Sequence, residues 1–276
     1  RSADAWQVNV SDAQDLLTLA NPKAVRINPL KAKKSTLKDI KALGVELEPI
    51  SWCPNAYTVI KGYEKLSKSD LFASGAFILQ DPASFVPVLA LEPKPGEDIL
   101  DICAAPGGKT THIAAVSKNK AHIVANDTSR SRFFKMRDRF NRYGVRADTT
   151  LYDGRFLRKS LQGKLFDKIL LDAPCSGEAA INPSKAKSYE QWSLAKVKRL
   201  SRLQEQLIAV AYDVLQPGGT LVYSTCTIAP EENEFVIDYL LKKRGAELVQ
   251  LAIPVTGARP ALTSWNGKQF NPQLAK

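Results

Sequence analysis

From about position 80 onward, short apolar runs alternate with helical stretches, and this alternation constrains the fold more than any other feature of the chain. Runs at 99–102, 122–125, 149–152, 168–171 and 220–223 read as strands. Between and after them, 83–90, 110–116, 129–143, 194–215 and 231–243 read as helices. In 194–215, Val197, Leu200, Leu203, Leu207, Val210 and Val214 fall on one face, and Pro217-Gly218-Gly219 is expected to stop the helix. Strand and helix in turn specify an α/β fold with a mainly parallel sheet. Ligands of such sheets bind at the carboxyl ends of the strands.

Positions 1–79 read differently, as a small α+β unit. A short helix opens at Ser11-Asp12 and ends near Ala20. Strands are expected at 24–27, 45–50 and 57–60, with a helix over 36–43 stopped by Gly44. The net charge is +11, with 39 Lys and Arg against 28 Asp and Glu. Such an excess suits a polyanionic partner, because each phosphate contact releases condensed counterions. Lys23, Arg26, Lys31, Lys33, Lys34, Lys38 and Lys41 are opposed only by Asp39, which fits a phosphate-facing surface and equally a solvated face.

The four cysteines form no C-x-x-C pair and there are only two histidines, which argues against a zinc site. No apolar run suits a signal peptide or a membrane span, so no membrane partner and a cytoplasmic location are expected. The chain does not begin with Met, which suggests a fragment or a processed form.

The first strand after position 80 leads into Asp101-Ile102-Cys103-Ala104-Ala105-Pro106-Gly107-Gly108-Lys109-Thr110. Small residues and paired glycines let a backbone approach a ligand before a helix begins. A phosphate-cradling P-loop needs Gly where Cys103 stands, and a dinucleotide loop needs a third glycine. A nucleoside cofactor without pyrophosphate remains, and S-adenosyl-L-methionine is the common one. Asp127, 20 residues after Gly107, is placed to accept the ribose hydroxyls, and Asp153 to meet the adenine amino group. One strand-end aspartate would be explained by capping alone. Asp101, Asp127, Asp153 and Asp172, each at or near the end of a successive strand, favour a cleft. In the helix after Asp127, Phe133, Met136, Phe140 and Tyr143 have the spacing of core residues rather than of base-stacking platforms.

Two further strands end in cysteine motifs, Asp172-Ala173-Pro174-Cys175-Ser176-Gly177 and Ser224-Thr225-Cys226-Thr227, the second followed by Pro230-Glu231-Glu232-Asn233. Cysteines that follow strands are expected to face one cleft. Together these segments resemble the signature motifs of RNA cytosine-C5 methyltransferases, the NOL1/NOP2/Sun family. Arg26-Ile27-Asn28-Pro29-Leu30-Lys31, Gln80-Asp81-Pro82-Ala83-Ser84 and the 101–110 loop are similar to that family's other motifs. The resemblance covers roughly positions 24–245, and bacterial-type ribosomal RNA members are the most similar.

The resemblance implies a Rossmann-like catalytic domain over 80–276, an RNA-binding accessory unit over 1–79, and formation of 5-methylcytidine in ribosomal or transfer RNA. It assigns Cys226 as the nucleophile, Cys175 to product release, Asp172 to the cytosine edge, and Lys109 to favouring the thiolate and orienting the base. It gives the cofactor Cys103, Ala104, Ala105, Pro106, Gly107, Gly108, Lys109, Asp127, Arg132, Asp153 and Asp172. The chain departs from the family in lacking a Gly-Phe-Phe-like closing segment and any large additional RNA-binding domain. Target selection then falls to the N-terminal unit, to a missing region or to a partner protein. A nucleotide-dependent oxidoreductase and a catalytically silent RNA-binding scaffold are the competing readings. The missing dinucleotide loop argues against the first, and the intact Asp172, Cys175 and Cys226 argue against the second.

Overall fold

The computed structural model describes residues 2–18, 22–251, 253, 255 and 258–275. It contains strands β1 (Ala24–Ile27), β2 (Glu46–Pro49), β3 (Ala56–Lys61), β4 (Phe77–Gln80), β5 (Asp98–Asp101), β6 (His122–Asp127), β7 (Asp148–Leu151), β8 (Phe166–Asp172), β9 (Leu215–Ser224), β10 (Ser264–Trp265) and β11 (Lys268–Gln269). The chain forms two compact units. The larger takes residues 21–170 and 214–222, and the smaller takes 1–20, 171–213 and 223–276.

The central sheet has the order β7-β6-β5-β8-β9. The pairs β5–β6, β5–β8 and β6–β7 are parallel, as alternation with helices requires. Their buried apolar residues, Ile99, Leu100, Ile123, Ile169 and Leu170, make the near-continuous hydrophobic runs of a sheet covered on both faces. The strand order reverses between β5 and β8, the point at which open α/β sheets bind ligands.

The larger unit also contains an antiparallel sheet of order β2-β3-β1-β4. β1 is buried along its whole length between β3 and β4. β4 has no counterpart among the expected strands, because Phe77-Ile78-Leu79-Gln80 has no alternation and runs straight into the next motif. Asn28 ties this sheet to the helix Arg130–Tyr143 by donating to the carbonyls of Gly75 at 2.9 Å and Tyr143 at 3.0 Å. Within that helix Phe133, Met136, Phe140 and Tyr143 are buried, as their spacing implies.

Three expectations change. Arg26 is no part of a phosphate-facing surface. It is 1% exposed, and its guanidinium donates to Thr111 at 3.2 Å. Burial brings it down to about 10 and pushes the Cys53 thiol up to about 11. Pro217-Gly218-Gly219 does not stop the long helix. That helix, Leu194–Asp213, ends before it, and the triplet lies inside β9. An edge strand tolerates a proline because its outward N–H has no ladder partner to lose. The helix expected to end near Ala20 runs from Val10 to Thr18, and Ala20 itself lies outside the described residues.

In the smaller unit the long helix buries Val197, Leu200, Leu207, Ile208 and Ala211 together with the polar Ser201 and Gln204. Leu203 and Val210 are only half-buried. Leu262, Phe270 and Leu274 pack with Phe235 and Trp265 into a satellite cluster around the β10–β11 hairpin. Among the described residues no helix is long and apolar enough to cross a membrane.

Candidate active site

The strand-end aspartates emerge where the spacing implied. Asp101, Asp127 and Asp172 are the last residues of β5, β6 and β8, and Asp153 lies two residues beyond β7.

In the larger unit, Cys103, Ala104, Ala105 and Pro106 form the turn between β5 and the helix Gly108–Val116, with Lys109 in that helix's first turn. Gly107 sits at φ +94°, and a Cβ there would lie 2.8 Å from the Phe140 ring, so only glycine fits. The turn is braced from beneath. Asp127 is 2% exposed and accepts the N–H groups of Ala105 at 3.2 Å and Ser129 at 2.8 Å. Arg132 donates to the Ala105 carbonyl and lies 3.6 Å from the Asp127 carboxylate. Asn126 was not singled out in the sequence. Its amide donates to the carbonyls of Ile102 and Tyr152, both at 3.0 Å, pinning the ends of β5 and β7.

Asp153 caps the turn Gly154–Phe156 and is held by Arg155 at 2.6 Å, which keeps its carboxyl below the usual range. A nucleoside cofactor fits these residues. A glycine-opened turn leads into a helix N-terminus, the buried Asp127 carboxylate braces that turn, and the buried Gln80 Oε1 has no partner.

In the smaller unit the two cysteine turns interlock. The Sγ atoms of Cys175 and Cys226 are 3.0 Å apart, and the Cys226 N–H donates to Cys175 Sγ at 3.2 Å. Cys226 is exposed and Cys175 is half-buried. The hydrogen bond to Cys226 and burial push the Cys175 thiol far up, so Cys175 keeps its proton. Asp172 accepts from Ser224 at 2.8 Å, across the adjoining ends of β8 and β9.

Three residues with no role assigned from the sequence, Glu232, Gln204 and Asn233, hold this arrangement. Glu232, fully buried, accepts the Ser176 N–H at 2.9 Å and the Gln204 amide at 2.8 Å. The same Gln204 amide donates to the Pro174 carbonyl at 2.8 Å. Asn233 accepts from Thr225 at 2.6 Å and donates to Thr227 O at 3.1 Å, fixing the other turn. Thus the segment Pro230-Glu231-Glu232-Asn233 grips both cysteine turns at once.

Glu232→Ala should leave the Ser176 N–H and the Gln204 amide unpaired. At about 1–3 kcal/mol for each buried donor, thermal unfolding should shift down by roughly 5–10 °C. Glu232→Gln should lose less, because its new amide can face Gln204 Oε1, which is buried without a partner. Equal shifts for the two variants would contradict this account.

Comparison with known proteins agrees with the geometry. A family model described as 16S rRNA methyltransferase RsmB/F matches residues 88–272, and one described as the N-terminal domain of 16S rRNA methyltransferase RsmF matches 7–82. A tRNA (cytosine(49)-C(5))-methyltransferase of Pyrococcus abyssi is 41% identical over 92% of this chain and 81% of its own length. Ribosomal RNA small subunit methyltransferase F of Klebsiella pneumoniae is 36% identical, over 91% of this chain but 54% of its own length. The crystal structure of a methyltransferase homolog protein from Pyrococcus horikoshii superposes with a TM-score of 0.80 at 32% identity, over 95% of this chain and 81% of that one. NSun6 from the same organism, solved with the S-adenosylmethionine analogue SFG, gives 0.75 at 25% identity over 88% of each chain.

Proposed function

The chain belongs to the RsmB/F family of S-adenosylmethionine-dependent methyltransferases, and from that premise we propose that it converts a cytidine of RNA to 5-methylcytidine through a covalent cysteine adduct. The observation that carries this reading is the cysteine pair, two thiols 3.0 Å apart at the ends of neighbouring strands, one exposed and one held protonated.

C5 of cytosine is too electron-poor to attack a methyl group unaided. The Cys226 thiolate adds to C6, and the electron pair released makes C5 nucleophilic. Asp172 binds the N3/N4 edge and supports protonation of N3 as the C6–S bond forms. When bound, S-adenosylmethionine supplies the electrophilic methyl. Cys103 to Gly108, Lys109, Asp127, Arg132 and Asp153 are the residues proposed to hold it. The C5 proton then passes to a base, a role open to Cys175 only once its own proton has gone to solvent, and the electron pair left behind re-forms the C5–C6 double bond and expels Cys226 as thiolate while N3 gives back its proton. Cys175 serves this release step.

Ribosomal RNA is the preferred substrate, on the two family models, with transfer RNA the alternative that the Pyrococcus relative's name supports. Residues 1–79 act as the accessory RNA-binding unit, and the protein works in the cytoplasm. The test is transfer of labelled methyl groups to separated ribosomal and transfer RNA pools, followed by nucleoside analysis. The label is expected in 5-methylcytidine of the ribosomal pool. Label in another nucleoside would overturn the reading, and label confined to transfer RNA would move the substrate.

A further inference from the structure

Beside the cysteine pair, the smaller unit holds a cavity of about 230 Å³ that the chemistry above does not use. Its lining includes Ser176, Ile181, Trp192, Lys187 and Lys196, with Glu190 the only acidic member. Ser176 directly follows Cys175, so their Cα atoms are only about 3.8 Å apart. The cavity therefore begins one residue from the cysteine turn.

The aromatic wall is built in. Trp192 donates its indole N–H to Glu178 at 2.9 Å, and Glu178 is 5% exposed. The other oxygen of that carboxylate accepts from Thr227 at 3.1 Å, and Thr227 shares a hydrogen bond of 2.9 Å with Ser176. One buried carboxylate thus joins Trp192 to both cysteine-bearing turns. Burying a carboxylate is costly unless it is fully hydrogen-bonded, and here its bonds fix an aromatic ring against a cavity with two lysines. The volume lies below the roughly 300–1,000 Å³ of a pocket for a whole small-molecule ligand, which suits a single ring system.

We propose that this cavity receives the nucleotide next to the target cytidine, its base against Trp192 and its phosphate near Lys187 and Lys196. The inference rests on the reading above that the cysteine pair acts on RNA. A cytidine drawn out of its stack leaves its neighbour without a stacking partner, and an aromatic side chain restores about 1–3 kcal/mol for that base.

The experiment uses the RNA oligonucleotide that the wild-type protein methylates, and copies with an abasic ribose before or after the target cytidine. Trp192→Ala should raise KM for the intact oligonucleotide by roughly 5–150-fold, the stacking energy above expressed as a ratio, with kcat within about twofold. One abasic copy, on one side only, should cost the wild type the same factor and cost Trp192→Ala nothing further. Trp192→Phe keeps a ring but loses the indole N–H to Glu178, so it should recover part of the lost KM without matching the wild type. The pair Lys187→Ala and Lys196→Ala should reduce the salt slope of RNA binding by about 1–2, which tests the site even if Trp192→Ala folds poorly. An equal KM penalty for Trp192→Ala on intact and abasic RNA, or an unchanged salt slope, overturns the pocket alone. Absence of 5-methylcytidine from the wild-type protein with any RNA overturns the functional reading and the pocket with it.

Discussion

Cys226→Ala is expected to form no measurable 5-methylcytidine, a loss on the order of 10⁵-fold or more, the scale on which removing an essential nucleophile is felt. The reason is electronic. Without a thiolate at C6 the ring offers no electron density at C5, and no remaining group replaces it. On the proposed reading the attacking thiol is the exposed one of the pair. The Cys175 thiol is pushed up by its hydrogen bond to Cys226 and by burial, while Cys226 stands exposed. Exposure also makes the variant easy to interpret. An exposed side chain truncated to Ala changes stability by about 0.5 kcal/mol or less, so the protein should fold and still bind S-adenosylmethionine in a calorimetric titration. Retention of more than a few per cent of activity would show that another group attacks C6.

What the sequence made legible divides along physical lines. Of the parallel strands, β5, β6 and β8 were legible because each holds a buried apolar run ending in a turn. The motif residues were legible because glycines, a strand-end aspartate and strand-end cysteines are local signals. β4 was hidden because Phe77–Gln80 lacks alternation and is defined by pairing with β1, which is distant in sequence. Pro217–Gly219 misled because a proline-glycine pair signals a break, whereas an edge strand absorbs it.

Arg26 misled for the opposite reason. A charge in a lysine-rich stretch reads as surface, but it sits on the central strand of its sheet with both neighbours hydrogen-bonded. Gln204 and Trp192 carried no signal, and Glu232 stood only as part of a motif with no role of its own, because their roles consist entirely of partners 14 to 56 residues away. A glutamine on the buried face of an amphipathic helix looks like a flaw in the apolar stripe until its partner carboxylate is seen.

Cys175→Ala separates the two thiols and has the second largest expected effect. If Cys175 serves release, the first half of the reaction survives its loss: Cys226 still adds to C6 and the methyl group still reaches C5. Loss of the C5 proton and expulsion of Cys226 then stall, and the C6–S bond persists. Turnover should fall by about 10²–10⁴-fold, the range for losing a positioned proton-transfer group. The RNA should accumulate as a covalent adduct that survives denaturing electrophoresis and carries the label of the transferred methyl. A second consequence comes from the packing. Cys226's backbone N–H and thiol both face Cys175, so the substitution also removes the partner that holds the nucleophile's turn. Cys175→Ser restores a hydroxyl there and should recover that positioning without recovering release, leaving the adduct in place. The double variant Cys175→Ala with Cys226→Ala should form none, because the only thiol able to bond C6 is gone. If the adduct formed in Cys226→Ala and vanished in Cys175→Ala, attack and release would belong to the opposite residues, and the protonated thiol at Cys175 would have to be displaced before the reaction began.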